Sequence, residues 1–279
     1  MVLADESAES AEWARLRLCD QAAAYEAAEL IPAGSALRMA ESLRAAVSIE
    51  AAVADADYVT EAIPENLELK RAVLERIGRA APAKTIVATN TSAIRLSALA
   101  DCLAQPLIVA HWFNRAPFVP LVELTGDATV LDRVEPMLRR AGKVPIRVPD
   151  VPGFLGNRLQ FALYKEAVLI VEEGLATPEQ VDLVVTNSFG CRLPFFGPFA
   201  VADISGLDVY ASLRAHYGER FIAPASLTEK VASGDFGVKA GTGYRGIDAS
   251  AMEPLAAHRD QIFTSLAALK ERLGPPPGL

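Results

Sequence analysis

The sequence predicts an α/β fold in which a domain built on a parallel sheet precedes an all-helical domain. In the first half of the chain, short apolar runs alternate with helical patterns, as expected for strands joined by crossover helices. The run Thr85–Thr89 is apolar without alternation, which is typical of a strand covered on both faces. After residues 150–153 only helical patterns follow, so we divide the chain into domains 1–149 and 150–279.

The elements of the first domain follow one another in strand and helix order. Val2–Ala4 predicts a short strand, and an alanine-rich helix extends from about Ser7 to Leu30. Val144–Val148 contains Pro145, which cannot donate a ladder hydrogen bond, so this strand belongs at a sheet edge. Between these elements the sequence predicts strands at Tyr58–Ile63, Thr85–Thr89, Leu107–Trp112 and Leu121–Thr125, and a helix at Leu67–Arg79.

The second domain opens with a long helix, Phe154–Glu173, that is apolar on nearly all sides. A helix of this kind lies at the centre of a helical domain or in a subunit interface. Further helices are predicted over Pro178–Ser188 and Phe199–Tyr217.

Composition excludes several classes of partner. The 279 residues carry a formal charge of −8 and no basic stripe, which argues against nucleic acid. Cys19, Cys102 and Cys191 lie too far apart to suggest a disulfide framework or a zinc site. No apolar run is long enough for a membrane span, and no signal peptide opens the chain. We therefore expect a cytoplasmic protein that needs neither metal nor membrane.

Polar side chains cluster where the predicted strands end. They are Asn90, Ser92, His111 and Asn114, with Glu123 inside the following strand and Asn157 at the start of the second domain. The carboxyl ends of strands in such a sheet are where ligands bind. A histidine with a neighbouring carboxylate is the form that a general base takes, and Ser92 and Asn157 suit a substrate oxygen.

Each of these residues also has a structural interpretation. His111 alone is more often a hydrogen-bonded structural histidine, and Glu123 could pair with an arginine. Asn90 to Ser92 could cap a helix, and Asn157 could satisfy a buried carbonyl. Burying polar groups without partners costs roughly 1–3 kcal/mol for each group. The alternative to these separate roles is therefore a cluster in a cleft, where the groups serve one another or a ligand.

At this point the motifs resemble those of the L-3-hydroxyacyl-CoA dehydrogenase family, whose sheet domain is of the Rossmann type. They are EAIPENLELK (61–70), ATNTS (88–92), HWFNRAPFVPLVE (111–123), DVPGFLGNRL (150–159), GPFAVADISGLD (197–208) and FGVKAGTGY (236–244). The resemblance covers nearly the whole chain. It implies oxidation of an L-3-hydroxyacyl-CoA to the 3-ketoacyl-CoA with NAD, or the reverse reduction, by a homodimer.

Carried over position by position, the resemblance implies roles for individual residues. His111 would remove the proton of the substrate hydroxyl, and Glu123 would orient it. Ser92 and Asn157 would hold the reacting oxygen, with Asn114 shaping the same pocket. The cofactor would contact Glu65, Lys70 and Asn90, and Asp5 would bind the adenosine ribose. A carboxylate at that last position favours NAD over NADP, because it repels a 2′-phosphate.

Two departures from the family pattern affect these expectations. Arg115 replaces the proline that follows HxFN, which adds a cation that meets an anionic substrate or points to solvent. Aligned on Asp5, the chain begins at the second strand, so the first strand, the G-x-G-x-x-G turn and the first helix, about 30 residues, are missing. We therefore expect a longer native protein and weaker NAD binding by this chain, by about 10² to 10⁶. The string Gly241–Gly246 fits the glycine pattern but follows no strand, which predicts a surface turn.

Three alternatives for the activity stay open. One is the acyl-CoA dehydrogenase itself, and the second is a related dehydrogenase of a smaller 3-hydroxy acid such as L-gulonate or carnitine. The third is a non-catalytic acyl-CoA-binding relative, which the missing glycine turn favours and the joint presence of the four candidate catalytic residues opposes.

Overall fold

The computed structural model describes residues 1–217 and 224–274. The chain divides into two compact units, Met1–Leu163 and Tyr164–Leu279. The helix Gly156–Glu172 contributes residues to both units, whereas the predicted domain boundary at 149/150 lies just before this helix. Over the described ranges, no helix is both long and apolar enough to cross a membrane.

The first unit contains every strand that the sequence predicts, each within two residues of its predicted limits. The strands are β1 (Val2–Leu3), β2 (Arg44–Ala45), β3 (Tyr58–Glu61), β4 (Ile86–Thr89), β5 (Leu107–Trp112), β6 (Leu121–Thr125) and β7 (Val144–Arg147). The helices are α1 (Ala8–Ala27), α2 (Ser35–Ser42), α3 (Ile49–Val53), α4 (Leu67–Ala80) and α5 (Ala128–Arg140), with a 3₁₀ turn at Leu96–Ala98. Sequence analysis missed β2, α2, α3 and α5. The first three of these are too short to show a clear period, and Pro136 interrupts the pattern of α5.

The strands form two sheets. Strand β1 pairs in parallel with β2, and a second sheet has the order β3-β4-β5-β6-β7, which places the proline-containing β7 at an edge as predicted. All neighbours in the larger sheet are parallel except β5 and β6, which run antiparallel. The α/β class with a parallel-rich sheet is confirmed, but the expectation of parallel strands is wrong for this one pair.

Helices cover both faces of the larger sheet. In β4, Ile86 and Ala88 pack with residues of α5, whereas Val87 packs with Leu74 and Ile77 of α4. Because alternate residues of a strand point to opposite faces, α4 and α5 lie on opposite sides of the sheet. All four residues of β4 are buried, as the run without alternation predicts.

The second unit is helical throughout its described residues. It continues α6 (Gly156–Glu172) and contains α7 (Pro178–Asn187), α8 (Pro198–Ser205), α9 (Leu207–Tyr217), α10 (Ala225–Ala232) and α11 (Met252–Leu273). The single helix predicted over Phe199–Tyr217 is wrong, because Gly206 has φ +100° and ends α8 before α9 begins. Such a φ leaves the right-handed helical region, and glycine adopts it at little cost.

Helix α6 exposes much of its apolar surface. Leu159, Phe161 and Tyr164 are 64, 62 and 63% exposed, and no residue of the helix is buried. The expectation of a helix buried at the centre of the helical domain is therefore wrong for this chain. The exposure is compatible with the other interpretation of the same pattern, in which the helix lies in a subunit interface.

The glycine-rich string Gly241–Gly246 lies in a turn that packs on a buried carboxylate. Asp203 of α8 is fully buried and accepts hydrogen bonds from Tyr244 N (2.9 Å) and Arg245 N (2.6 Å). A Cβ on Gly243 would lie 2.5 Å from Asp203 Oδ1, and the φ of this glycine is +131°. The string is therefore a structural turn of the helical unit, as predicted, with close packing as the reason for its glycine.

We expect Asp203→Ala to lower the free energy of unfolding by roughly 2–5 kcal/mol, because two backbone N–H groups would be left without an acceptor. Chemical denaturation measures this change. Asp235→Ala is the matched control, because Asp235 is partly exposed and pairs with Lys230 at 3.4 Å, so its loss should cost less than about 1 kcal/mol. Equal destabilisation by the two variants would contradict the role of Asp203.

Candidate active site

His111 and Glu123 face each other across two strands. In the antiparallel pairing of β5 and β6 the two residues are direct partners, so their side chains lie on the same face of the sheet. His111 Nδ1 and Glu123 Oε2 are 2.9 Å apart, and the two side chains are only 4 and 2% exposed. The predicted pairing of histidine with carboxylate is therefore present, through a register that the sequence did not reveal.

Glu123 is also anchored from the start of α6. Its other oxygen, Oε1, accepts hydrogen bonds from Leu155 N (3.0 Å) and Gly156 N (2.9 Å). The first N–H groups of a helix have no partner within the helix and carry partial positive charge, which suits a carboxylate. Donors therefore engage both oxygens of Glu123, which leaves the side chain little freedom to turn away from His111.

The imidazole of His111 packs near two phenylalanine rings. Its centroid is 4.8 Å from that of Phe113 and 5.4 Å from that of Phe154. The hydrogen bond to Glu123 engages Nδ1, which leaves the other ring nitrogen, Nε2, outside that pair. With Nδ1–H donating to Glu123, Nε2 carries the free lone pair that a general base needs.

Gly156 makes this arrangement possible because a side chain there would strike the ring beside His111. A Cβ on Gly156 would lie 2.3 Å from Phe113 Cζ. We expect Gly156→Ala to displace that ring, to lower stability by roughly 1–3 kcal/mol and to lower turnover. Thermal unfolding and steady-state kinetics measure the two effects. Gly197→Ala is the control, because its Cβ would meet nothing within 4 Å; a similar loss in both variants would contradict the packing argument.

Ser92 and Asn157 contact each other. Asn157 Nδ2 donates to the backbone oxygen of Ser92 at 3.2 Å, and both residues are half-buried. Asn157 directly follows Gly156, whose N–H group binds Glu123. The start of α6 therefore connects the two expected oxygen-binding residues with the His111–Glu123 pair, through the backbone of Gly156 and Asn157.

Glu65 holds the segment that contains Ser92. Its Oε1 accepts hydrogen bonds from Thr91 Oγ1 (2.5 Å) and from three successive backbone N–H groups, of Ser92 (3.1 Å), Ala93 (2.8 Å) and Ile94 (3.2 Å). Burial alone would raise the pKa of Glu65, but the hydrogen bonds from Thr91 and the backbone, together with the Lys70 charge, lower it overall. The carboxylate is therefore ionised at neutral pH.

Lys70 lies inside the unit and not at an open phosphate site. Its side chain is 0% exposed, and Nζ donates to Glu61 Oε1 (2.8 Å) and Ile63 O (3.1 Å), with Glu65 Oε2 at 3.7 Å. Glu61 is also fully enclosed and accepts from Thr89 Oγ1 at 2.6 Å. The resemblance implies that Lys70 contacts the cofactor, whereas in the structure its charge is neutralised by protein carboxylates.

The remaining expected residues lie at strand ends or on the surface. Asn90 Oδ1 accepts a hydrogen bond from Trp112 N at 2.8 Å, which ties the end of β4 to the end of β5 beside His111. Asn114 is exposed and accepts from the backbone N–H of Arg115, whose φ is +65°. Asp5 is exposed after β1 and accepts from Glu6 N. Arg115 is exposed as well.

Sequence reasoning missed two carboxylates that organise the site. Glu61 stands four residues before the predicted cofactor residue Glu65, and only its burial beside Lys70 distinguishes it. Asp150 accepts hydrogen bonds from Leu96 N (2.7 Å) and Ser97 N (3.0 Å), across more than fifty residues of sequence. Both residues open motifs that carry the family resemblance, EAIPENLELK (61–70) and DVPGFLGNRL (150–159), but their partners are defined only by the fold.

The donor set fits the ribose and nicotinamide parts of NAD better than a metal ion. Asp5, Glu65 and Asn90 follow the carboxyl ends of parallel strands, where hydroxyl and amide groups of such a ligand bind. Among the described residues no glycine-rich turn joins a strand of the sheet to a helix, and no group of three or more potential metal ligands occurs.

Two family models match the chain in succession. The model described as "3-hydroxyacyl-CoA dehydrogenase, NAD binding domain" matches residues 1–151, and the model described as "3-hydroxyacyl-CoA dehydrogenase, C-terminal domain" matches residues 153–245. Together they cover both units over most of their length.

Individual relatives agree with these models. The chain is 32% identical over 231 residues to 5-formyl-3-hydroxy-2-methylpyridine 4-carboxylate 5-dehydrogenase of Mesorhizobium japonicum, covering 79% of this chain and 75% of that protein. It is 35% identical over 239 residues to L-carnitine dehydrogenase of Nocardiopsis dassonvillei, covering 79 and 70%. The crystal structure of a 3-hydroxyacyl-CoA dehydrogenase from Archaeoglobus fulgidus superposes with a TM-score of 0.75 at 30% identity, covering 95% of this chain and 90% of that one.

Proposed function

Because this chain belongs to the 3-hydroxyacyl-CoA dehydrogenase family, we propose that it oxidises the hydroxyl of an L-3-hydroxyacyl-CoA to the ketone, or catalyses the reverse reduction. The chain is an oxidoreductase with an NAD-binding domain. The observation that carries the proposal is the buried pair of His111 and Glu123, with Nδ1 and Oε2 2.9 Å apart and Nε2 left for a substrate.

In the proposed mechanism His111 is the general base. Nε2 takes the proton of the 3-hydroxyl, and the imidazolium that forms is stabilised by the carboxylate of Glu123 beside Nδ1. NAD, when bound, supplies the acceptor for the hydride that leaves C3. Ser92 and Asn157 hold the reacting oxygen, and the contact between them at 3.2 Å supports a shared role. Asn114 shapes the entrance to the same pocket.

For the cofactor, we assign Asp5 to the adenosine ribose, and Glu65 and Asn90 to the nicotinamide end. The exposed carboxylate of Asp5 repels a 2′-phosphate, which favours NAD over NADP. Lys70 has no exposed surface, so in this proposal its effect on the cofactor passes through Glu65.

A smaller 3-hydroxy acid is the second candidate substrate. The similarity to an L-carnitine dehydrogenase and to a dehydrogenase of a pyridine carboxylate supports a free acid, because both names describe substrates that carry a carboxylate. Exposed Arg115 supplies a cation close to the His111 strand that suits such a group. A non-catalytic acyl-CoA-binding protein is the alternative from another class.

The test is NADH formation with 3-hydroxybutyryl-CoA, L-gulonate and L-carnitine, each supplied with NAD at pH values near neutrality. We expect the thioester to give the highest kcat/KM. A higher value with either free acid would transfer the assignment to the second candidate. No NADH from any of the three, together with acyl-CoA binding by calorimetry, would favour the non-catalytic alternative.

We also propose a homodimer, on the exposed apolar surface of α6. Side chains such as Leu159, Phe161 and Tyr164 are more than half exposed in the isolated chain. Large apolar side chains that are exposed in an isolated chain are often covered in protein interfaces. Light scattering should therefore give twice the chain mass, and a monomer at micromolar concentration would contradict the proposal.

A further inference from the structure

A continuous set of polar contacts runs from the interior of the first unit to the segment that contains Ser92. It begins at the buried pair of Glu61 and Lys70, where Nζ and Oε1 are 2.8 Å apart and both side chains are 0% exposed. It passes from Lys70 to Glu65 at 3.7 Å. It ends where Glu65 accepts four hydrogen bonds from the segment Thr91–Ile94, hereafter the serine loop.

We propose that Glu61 and Lys70 are positioning residues, which hold Glu65 against the serine loop and thereby set the place of Ser92. The inference rests on the proposed function, because the position of Ser92 is important only if Ser92 holds the substrate oxygen. It also replaces the direct contact with the cofactor that the resemblance implies for Lys70.

Lys70 makes two hydrogen bonds and one longer ionic contact. Its ammonium group donates to Glu61 Oε1 and Ile63 O, and Glu65 Oε2 lies 3.7 Å away, within ion-pair distance. Taking a lysine and a glutamate out of water is costly, and apolar residues of similar volume often fill such a space at no loss of stability. The ion pair differs from apolar residues because it supplies a cation that is fixed at one point beside Glu65.

The cation adds a restraint to Glu65, whose side chain is 37% exposed. Without the cation, only the hydrogen bonds from the serine loop would hold this carboxylate. Three successive N–H groups of the loop, from Ser92 to Ile94, converge on its Oε1. Ile94 N also donates to Thr91 Oγ1 at 2.9 Å, so displacement of Glu65 would leave Ser92 N and Ala93 N without their acceptor, whereas Ile94 N would keep one.

The effect extends to the second half of the site. The backbone oxygen of Ser92 accepts a hydrogen bond from Asn157 at 3.2 Å, and Asn157 follows the N–H group that anchors Glu123. A shift of the serine loop would therefore move both groups that are proposed to hold the substrate oxygen.

Hydrogen exchange of the serine-loop amides tests the inference without relying on turnover. The variant Glu61→Gln/Lys70→Met removes the ion pair while leaving no isolated buried charge. We expect exchange at Ser92 and Ala93 to accelerate about tenfold or more, and exchange in the core of β5 to stay unchanged. The matched control is Glu50→Gln/Arg76→Met, which removes an exposed ion pair of α4 with α3 and should leave the loop protected.

Two results would overturn the proposal. One is unchanged exchange at the serine loop in the Glu61→Gln/Lys70→Met variant, and the other is equal acceleration in the control. Glu65→Ala provides a second route that spares the buried pair: it should release the amides of Ser92 and Ala93, and continued protection there would also count against the proposal.

Kinetics then distinguish positioning from direct cofactor binding. A positioning role predicts that Glu61→Gln/Lys70→Met lowers kcat about tenfold or more and changes the KM for NAD less than about threefold. A raised KM for NAD with unchanged kcat would return Lys70 to the cofactor site and overturn the inference. Absence of turnover in the unmodified chain would count against the proposed function, while the exchange data would still decide the role of Glu61 and Lys70.

Discussion

Replacing His111 with glutamine is expected to lower kcat by about 10² to 10⁴ while leaving NAD affinity nearly unchanged. Glutamine retains a polar group of similar reach but cannot accept a proton at neutral pH. Because His111 is enclosed by Phe113, Phe154 and Glu123, the variant keeps most of the packing around it. Steady-state turnover and calorimetry with NADH measure the two quantities separately.

His258→Gln is the matched control for that experiment. His258 is exposed in the second unit, with its ring beside Phe196, and has no place in the proposed mechanism. Its turnover should stay within about twofold of the unmodified protein. If His111→Gln weakened NADH binding as much as it lowered kcat, His111 would be a structural residue and the proposed base would be wrong.

Glu123→Gln is expected to lower kcat by about 10² to 10⁴ as well, for a different reason. The amide oxygen can still accept from Leu155 N and Gly156 N, so the amide nitrogen faces His111 Nδ1. That nitrogen donates, which requires Nδ1 to accept and moves the ring proton to Nε2. The atom that should receive the substrate proton would then already carry one.

A second substitution at the same position separates orientation from stability. Glu123→Ala removes the acceptor for two backbone N–H groups and for His111, so we expect unfolding free energy to fall by roughly 3–5 kcal/mol. Glu123→Gln should lower the free energy of unfolding by less than Glu123→Ala does, although we expect the two variants to turn over equally slowly. The double variant with His111→Gln should be little slower than either single variant, because the two residues act as a unit. Additive losses would contradict that coupling.

Much of the fold could be predicted because its signals are local. The run Leu107–Ala110 is apolar and follows Pro106, and the structure has a strand with the predicted limits, Leu107–Trp112. Pro145 placed its strand at an edge, since a proline cannot donate to a neighbour on both sides. Element limits failed where one glycine changed the chain direction: nothing in the period of Phe199–Tyr217 marks the φ of Gly206.

The sequence proposes the members of the candidate site but not the contacts among them. In the structure His111 pairs with Glu123, Asn157 pairs with the backbone of Ser92, and Gly156, next to Asn157, donates to Glu123. The role of Lys70 was not visible, because a lysine in a helix with mixed charge is usually solvated. Its burial follows from the packing of α4 against the sheet, which brings it to Glu61 and Ile63.

The sequence by itself determined the order and type of most elements, the family resemblance and the choice of candidate site residues, because periodicity and motif spacing are properties of neighbouring positions. Only the tertiary structure decided that β6 runs against β5, and that direction puts the side chains of His111 and Glu123 opposite each other. It also decided that Lys70 neutralises a buried glutamate. Both contacts depend on which surfaces meet when distant segments pack. The pattern of neighbouring residues along the chain does not specify this packing.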